Sequence, residues 1–210
     1  MRKVIVCTMW SPCLQELADI AIPNLQTYCD KHGYELRHIN AKDNDCWFRK
    51  HEAFAEYFKE LNEGDIIWYR DIDGLVMNLA KPVTDFIDDY YPFYVTKDFN
   101  EINGGSVIIK NTEAGRKLNE VVLEQKGFLS NEQNVYNSVP FIMFGIDFMK
   151  ILPQNTINSY SYDLYPETKE YIGRNDLGDY LPGDLFIHFP GLGVREKIAM
   201  MNEFKEKIIE

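Results

Sequence analysis

Short apolar runs alternate with segments of helical spacing through the first half of the chain, and this alternation limits the fold more than any other feature. Residues 4–9 are apolar and β-branched, which predicts a buried strand. Residues 14–22 are helix-like. Pro23 interrupts them and is expected to open a second helix, where its missing N–H costs nothing, running to about His32 and stopping at Gly33. Residues 34–39 alternate apolar and polar, so they predict a second strand. Phe48, His51, Phe54, Ala55, Phe58 and Leu61 recur at helical spacing, ended by Asn62-Glu63-Gly64. Residues 66–69 form a third strand. Further strands are expected at 93–96, 106–109 and 185–189, and helices at 114–125, 132–139 and 194–209. The pattern predicts an α/β fold with a mostly parallel central sheet flanked by helices. Ligands of such sheets bind at the carboxyl ends of strands, so residues just past each strand are the first functional suspects.

A chain of 210 residues, with no repeat and no linker rich in Pro, Gly or Ser, is expected to form a single domain, 1–210. Its net charge of -11 argues against a general affinity for nucleic acid or anionic membrane. No stretch approaches the roughly 20 apolar residues of a membrane span. The most apolar run, 139–149, is broken by Pro140, Gly145 and Asp147. Arg2-Lys3 and the apolar residues after it read as a first strand rather than a signal peptide. Cys7, Cys13, Cys29 and Cys46 show no C-x-x-C pair and read as reduced thiols of a cytoplasmic protein. P-loop, dinucleotide-binding and G-x-S-x-G patterns are absent.

The sharpest chemical feature is Asp71-Ile72-Asp73, which follows the third strand and precedes Gly74. Two carboxylates at the mouth of a sheet repel each other unless a cation lies between them. Hard oxygen ligands suit Mg²⁺ or Mn²⁺ and leave positions open for phosphate oxygens. The competing reading is a turn in which one Asp caps backbone N–H groups. Asp43-Asn44-Asp45 has the same spacing inside a polar loop and reads as such a turn. His188 ends an apolar strand and offers a third ligand; the alternative is a satisfied core histidine. Gly191-Leu192-Gly193 followed by Arg195 resembles a diphosphate cradle at a helix start. Asn103-Gly104-Gly105-Ser106 precedes a strand, and its glycines either admit a substrate or only make a turn. Glu132-Gln133-Asn134 opens a helix with side chains suited to sugar hydroxyls, or caps it in the ordinary way. Trp47, Arg49 and Lys50 start the helix before the third strand. There a cation either meets phosphate or is solvated.

Taken in order, these pieces resemble a GT-A-fold (Rossmann-like) glycosyltransferase, of the family that holds fungal galactosyl- and mannosyltransferases and plant xylosyltransferases. The stretches that carry the resemblance are Tyr28 to Tyr34, Trp47 to Lys50, Ile67 to Asp73, Asn103 to Ile109, Glu132-Gln133, Ile157-Asn158-Ser159-Tyr160 and Gly183 to Gly191. A short form is similar to the capsid glycosyltransferases of large algal viruses, where such a unit can be one domain of a longer protein. The resemblance implies a nucleotide-binding part at about 1–110 and an acceptor and metal-completing part at about 111–210. It implies a UDP-sugar donor, Mn²⁺ or Mg²⁺, a glycan or glycoprotein acceptor, and retention of configuration. On that pattern Asp71, Asp73 and His188 hold the metal, and Asp71 also faces ribose. Thr8 and Trp10 lie by the base, and Lys50, Gly191 and Arg195 approach the diphosphate. Asn103, Gly104, Glu132 and Gln133 line the donor sugar. Asp71, Asp73 and Gln133 make up the implied catalytic set. The chain departs from the pattern at Tyr69-Arg70, where family members are mostly apolar or aromatic. The same carboxylates would also serve a nucleotidyltransferase, a phosphohydrolase or a non-catalytic nucleotide-sugar binder, and these readings stay open.

Overall fold

The computed structural model describes residues 2–41, 47–143, 148–164 and 178–210. The Asp43-Asn44-Asp45 turn, Cys46 and the Gly145–Asp147 part of the apolar run lie outside them. Strand β1 (Val4–Trp10) is flanked in parallel by β2 (Glu35–Asn40) and β3 (Ile66–Arg70). A short β4 (Gly74–Val76) follows, and then β5 (Phe93–Asp98) and β6 (Glu101–Lys110) form a hairpin. β6 runs antiparallel to both β3 and β5, and β7 (Met149–Leu152) is parallel to β5. The main sheet therefore has the order β2-β1-β3-β6-β5-β7, with β6 alone reversed. A second sheet pairs β4 antiparallel with β8 (Phe186–His188).

Alternation along the strands decides which side chains meet which layer. Ile5, Cys7, Ile67, Tyr69 and Ile109 share one core with Phe54 of α2 (Arg49–Phe58), Leu118 and Val122 of α3 (Glu113–Glu124), and Val135 and Tyr136 of α4 (Glu132–Met143). Val4, Val6, Trp68 and Ile108 share the other with Leu25 and Tyr28 of α1 (Gln15–His32), together with Val76 and Phe186 of the small sheet. A one-turn helix α5 (Gln154–Ile157) precedes β8, and α6 (Val194–Lys205) closes the described fold.

Three expectations change. Pro23 does not start a helix; α1 runs unbroken across it. One missing backbone hydrogen bond is outweighed by six buried α1 side chains, from Leu17 to Cys29, and by Asn24, which exchanges hydrogen bonds with the N–H and C=O of Val76 at 2.8 and 2.9 Å. The helix stops where expected, at Gly33 with φ 67°. Asn103-Gly104-Gly105 lies inside β6 rather than before it, because the turn sits upstream at Phe99–Asn100, where the Asn100 N–H donates to Asp98 Oδ1. In the small sheet, β8 lies within the strand expected at 185–189, whereas β4 had no visible signal: three residues are too few for periodicity.

Candidate metal and donor site

Strand β3 ends at Arg70, and the chain bends through Asp71-Ile72-Asp73 before Gly74 enters β4. Ile72 is buried, which pins the bend. Gly74 pairs with His188 across β4–β8, so this small sheet carries the distant histidine to the two carboxylates. Only glycine fits there: a Cβ on Gly74 would lie 2.4 Å from the Ile187 carbonyl oxygen and against the Phe186 ring. Arg70 explains its own departure from the family pattern. It is fully buried, donates to the Gly74 carbonyl at 3.3 Å and lies 4.6 Å over the Phe186 ring, tying β3 to the small sheet. Burial lowers its pKa to about 10 while Asp71 and Asp73 pull it upward, so it remains a cation.

One donor atom each from Asp71, Asp73 and His188 lies within 4.8 Å of the others. His188 Nε2 is 3.1 Å from Asp73 Oδ1 and 3.8 Å from Asp71 Oδ2. Adjacent ligands at about 2.0–2.1 Å from an octahedral ion would stand roughly 3 Å apart. The second polar atom of each ligand is held by the protein. Tyr69 Oη donates to Asp71 Oδ1 at 2.6 Å, Lys197 Nζ donates to Asp73 Oδ2 at 2.6 Å, and His188 Nδ1 meets Asn158 Oδ1 at 3.0 Å. The remaining atoms turn inward together, and two carboxylates with one imidazole suit Mn²⁺ or Mg²⁺. Burial works to raise the Asp73 pKa, but His188 and Lys197 outweigh it and hold the carboxyl below the usual carboxylate range. Burial, with Asp73 adding to it, raises that of Asp71 against the pull of Lys50.

The cluster opens into a cavity of about 680 Å³, lined among others by Trp10, Trp47, Lys50, Gly104, Gln133 and Gly191. Asn103 and Glu132 line it as well. Lys50 is buried and committed: its Nζ donates to the Gly104 carbonyl at 2.7 Å, pairs with Glu132 Oε1 at 2.7 Å and sits 4.3 Å over the Tyr69 ring. Gln133 Oε1 accepts the Gly104 N–H at 3.1 Å. The glycines of β6 admit side chains of the protein itself: a Cβ on Gly104 would meet Glu132 Oε1 at 2.4 Å, and one on Gly105 would meet His188 Cε1 at 2.4 Å.

Two expected residues stand elsewhere. Thr8, on β1, is fully buried and does not line the cavity. Arg195 is exposed outside the cavity, and Lys197, two residues on, reaches Asp73 instead. Residues two apart on a helix do not share a face, so Arg195 and Lys197 point to different sides of α6. Tyr69 and Asn158 fall in stretches that carry the resemblance, but nothing in the sequence assigned either a role.

Residues 4–91 match the family model described as the galactosyl transferase GMA12/MNN10 family. The chain is 24% identical over 85% of its length to an alpha-1,2-galactosyltransferase of Schizosaccharomyces pombe, covering 57% of that protein. It is 25% identical over 67% of its length to the probable alpha-1,6-mannosyltransferase MNN10 of Saccharomyces cerevisiae, covering 47% of it. The chain thus spans about half the length of the curated relatives it matches. A solved glycosyltransferase involved in glycosylation of the major capsid of PBCV-1 superposes with a TM-score of 0.73 at 19% identity, over 96% of this chain and 99% of that one. This chain has a GT-A fold and is similar in sequence to fungal galactosyl- and mannosyltransferases. Among the described residues, no helix is long and apolar enough to cross a membrane.

Proposed function

We propose that the protein is a metal-dependent glycosyltransferase moving a sugar from a UDP-linked donor to a hydroxyl of a glycan or glycoprotein, with retention of configuration. The observation that carries this reading is the convergence of Asp71, Asp73 and His188, each with its outer atom already tied. The relatives' names and the matching fold support glycosyl transfer as the reaction.

A nucleoside diphosphate leaving group gathers negative charge as the glycosidic bond breaks. A divalent ion held by the three ligands would supply the compensating charge. Lys197, already at Asp73, adds a cation at the edge of that site. With a net charge of -11, the protein needs such local cations to admit an anionic donor at all. Trp10, at the end of β1 on the cavity wall, is the proposed base contact, stacked on His38 at 3.4 Å between ring centroids. Glu132 and Gln133 face the donor sugar from the start of α4, with Gln133 in the proposed catalytic set beside Asp71 and Asp73. Retention requires the acceptor hydroxyl to attack from the side the diphosphate leaves, and the departing phosphate oxygen is the proposed proton acceptor.

The test is a panel of nucleotide-sugars, nucleoside triphosphates and phosphate esters with Mn²⁺, read by nucleotide or phosphate released and by transferred sugar. Fastest turnover of a UDP-sugar, lost in Asp73→Ala with its fold intact, is the expected result. Faster consumption of a triphosphate or phosphate ester would instead favour the nucleotidyltransferase or phosphohydrolase reading.

A further inference from the structure

Asn103 lines the cavity where the donor's sugar would sit, and a carboxamide in that place invites assignment as a sugar ligand. Its hydrogen-bonding capacity is already filled. An amide side chain has two N–H donors and one oxygen with two lone pairs. Asn103 Nδ2 donates to Asp98 Oδ2 at 2.8 Å and to Tyr160 Oη at 2.9 Å. Its Oδ1 accepts from the Gly105 N–H at 2.7 Å and from Asn158 Nδ2 at 3.0 Å. The residue is only 7% exposed.

Each of these bonds fixes the next. A backbone N–H can only donate, so the Gly105 bond identifies which end of the Asn103 amide is oxygen. That oxygen requires a donor from Asn158, which therefore turns Nδ2 towards Asn103 and Thr96 Oγ1, the latter at 3.2 Å. Asn158 Oδ1 is left facing His188 Nδ1 at 3.0 Å. An amide oxygen accepts only, so Nδ1 of His188 carries a ring hydrogen. Nε2, 3.1 Å from Asp73 Oδ1, is then the ring nitrogen that would offer its lone pair to a cation shared with Asp71 and Asp73. Gly105 closes the same unit sterically, since a Cβ there would press on His188 Cε1 and, at 2.9 Å, on Asn103 Oδ1.

We propose that Asn103, acting through Asn158, is a positioning residue for the metal ligand His188 and makes no side-chain contact with the donor's sugar. This rests on the metal-site reading above. The relay couples the β6 segment that walls the sugar subsite to the ligand that completes the metal site, so that one defines the register of the other.

The experiment titrates Mn²⁺ into wild-type, Asn103→Ala and Asn158→Ser proteins, with and without UDP, reading free ion by electron paramagnetic resonance. UDP lacks the transferable sugar, so a lost contact with that sugar cannot move this measurement. The expected result is a Mn²⁺ Kd raised about 10- to 100-fold in both variants. Turnover recovers at saturating Mn²⁺, and the ratio of kcat/KM between two UDP-sugars stays unchanged. An unchanged Mn²⁺ Kd with an altered sugar preference overturns the proposal and restores Asn103 as a sugar ligand. A second measurement needs no variant. Long-range ¹H–¹⁵N spectra of histidine-labelled wild-type protein with Mg²⁺ and UDP are expected to show His188 protonated on Nδ1 and bare on Nε2. The opposite tautomer overturns the relay while leaving the metal reading intact. Wild-type protein that takes up no ion in any condition overturns both.

Discussion

At the scale of single residues, the site depends on which atoms have no freedom left. Gly105 is such a position, because a methyl group there meets the His188 ring rather than solvent. Gly105→Ala is expected to cost roughly 1–3 kcal/mol of stability, the usual range for overpacking, and to weaken Mn²⁺ binding by displacing His188. Thermal unfolding combined with an Mn²⁺ titration checks both effects, and equal metal affinity would separate His188 placement from Gly105. Lys197 is the cation that the tertiary structure brings to Asp73. Lys197→Met is expected to raise the donor KM about 10- to 100-fold, the equivalent of a hydrogen bond to a charged group of roughly 1.5–3 kcal/mol. Arg195→Met is expected to cost much less, since its guanidinium lies outside the cavity. Steady-state kinetics on the two variants decides between them, and a larger loss at Arg195 would count against the geometry.

At the scale of elements, the helices on the α2 side are joined by one buried imidazole. His51 of α2 donates from Nδ1 to Asn119 Oδ1 of α3 at 2.6 Å and receives the Tyr136 hydroxyl of α4 at Nε2. The Asn119 orientation is set by its own Nδ2, which donates to the His51 carbonyl at 2.9 Å. Burial, with Lys50 nearby, pushes the His51 pKa down from 6.5 to about 3. The unfolded chain therefore binds a proton that the folded chain refuses between those two values. The stabilisation is complete above pH 6.5 and is lost as pH falls towards 3, at about 1.4 kcal/mol per pH unit from this one group. Urea unfolding at pH 7, 6 and 5 is expected to show that slope, and His51→Gln to remove most of it. A variant with the wild-type slope would place the pH sensitivity elsewhere.

At the scale of the whole molecule, the metal ligands come from distant parts of the chain: Asp71 and Asp73 follow β3, and His188 ends β8. Ligand binding should therefore brace the main sheet against the small one. At concentrations a hundredfold above Kd, a bound ligand adds about 2.7 kcal/mol to stability. For a chain of 210 residues that corresponds to a rise in melting temperature of roughly 5–10 °C. Mn²⁺ with UDP is expected to produce it, EDTA to reverse it, and Asp73→Ala to show none. Differential scanning fluorimetry measures all three, and an equal rise without metal would show that nucleotide binds independently of the cluster.

Much of this architecture was legible in the sequence because it rests on local rules. Strand period, helical spacing and the glycine after His32 mark the alternating α/β pattern, and an apolar strand running into Asp71-Ile72-Asp73 marks a carboxylate pair at a sheet edge. What the sequence left open depends on contacts between residues far apart in the chain. Pro23 continues its helix because Asn24 and the buried face hold it there. Lys197 rather than Arg195 reaches Asp73 because helix packing selects one face. The small sheet, three residues on each side, forms only once Gly74 lets Phe186 close against it. The tautomer assigned to His188 follows from an amide two elements away. Local free energies write the pattern of strands and helices into the sequence; the convergence of a binding site is set by packing and hydrogen-bond satisfaction, which exist only after the chain has folded.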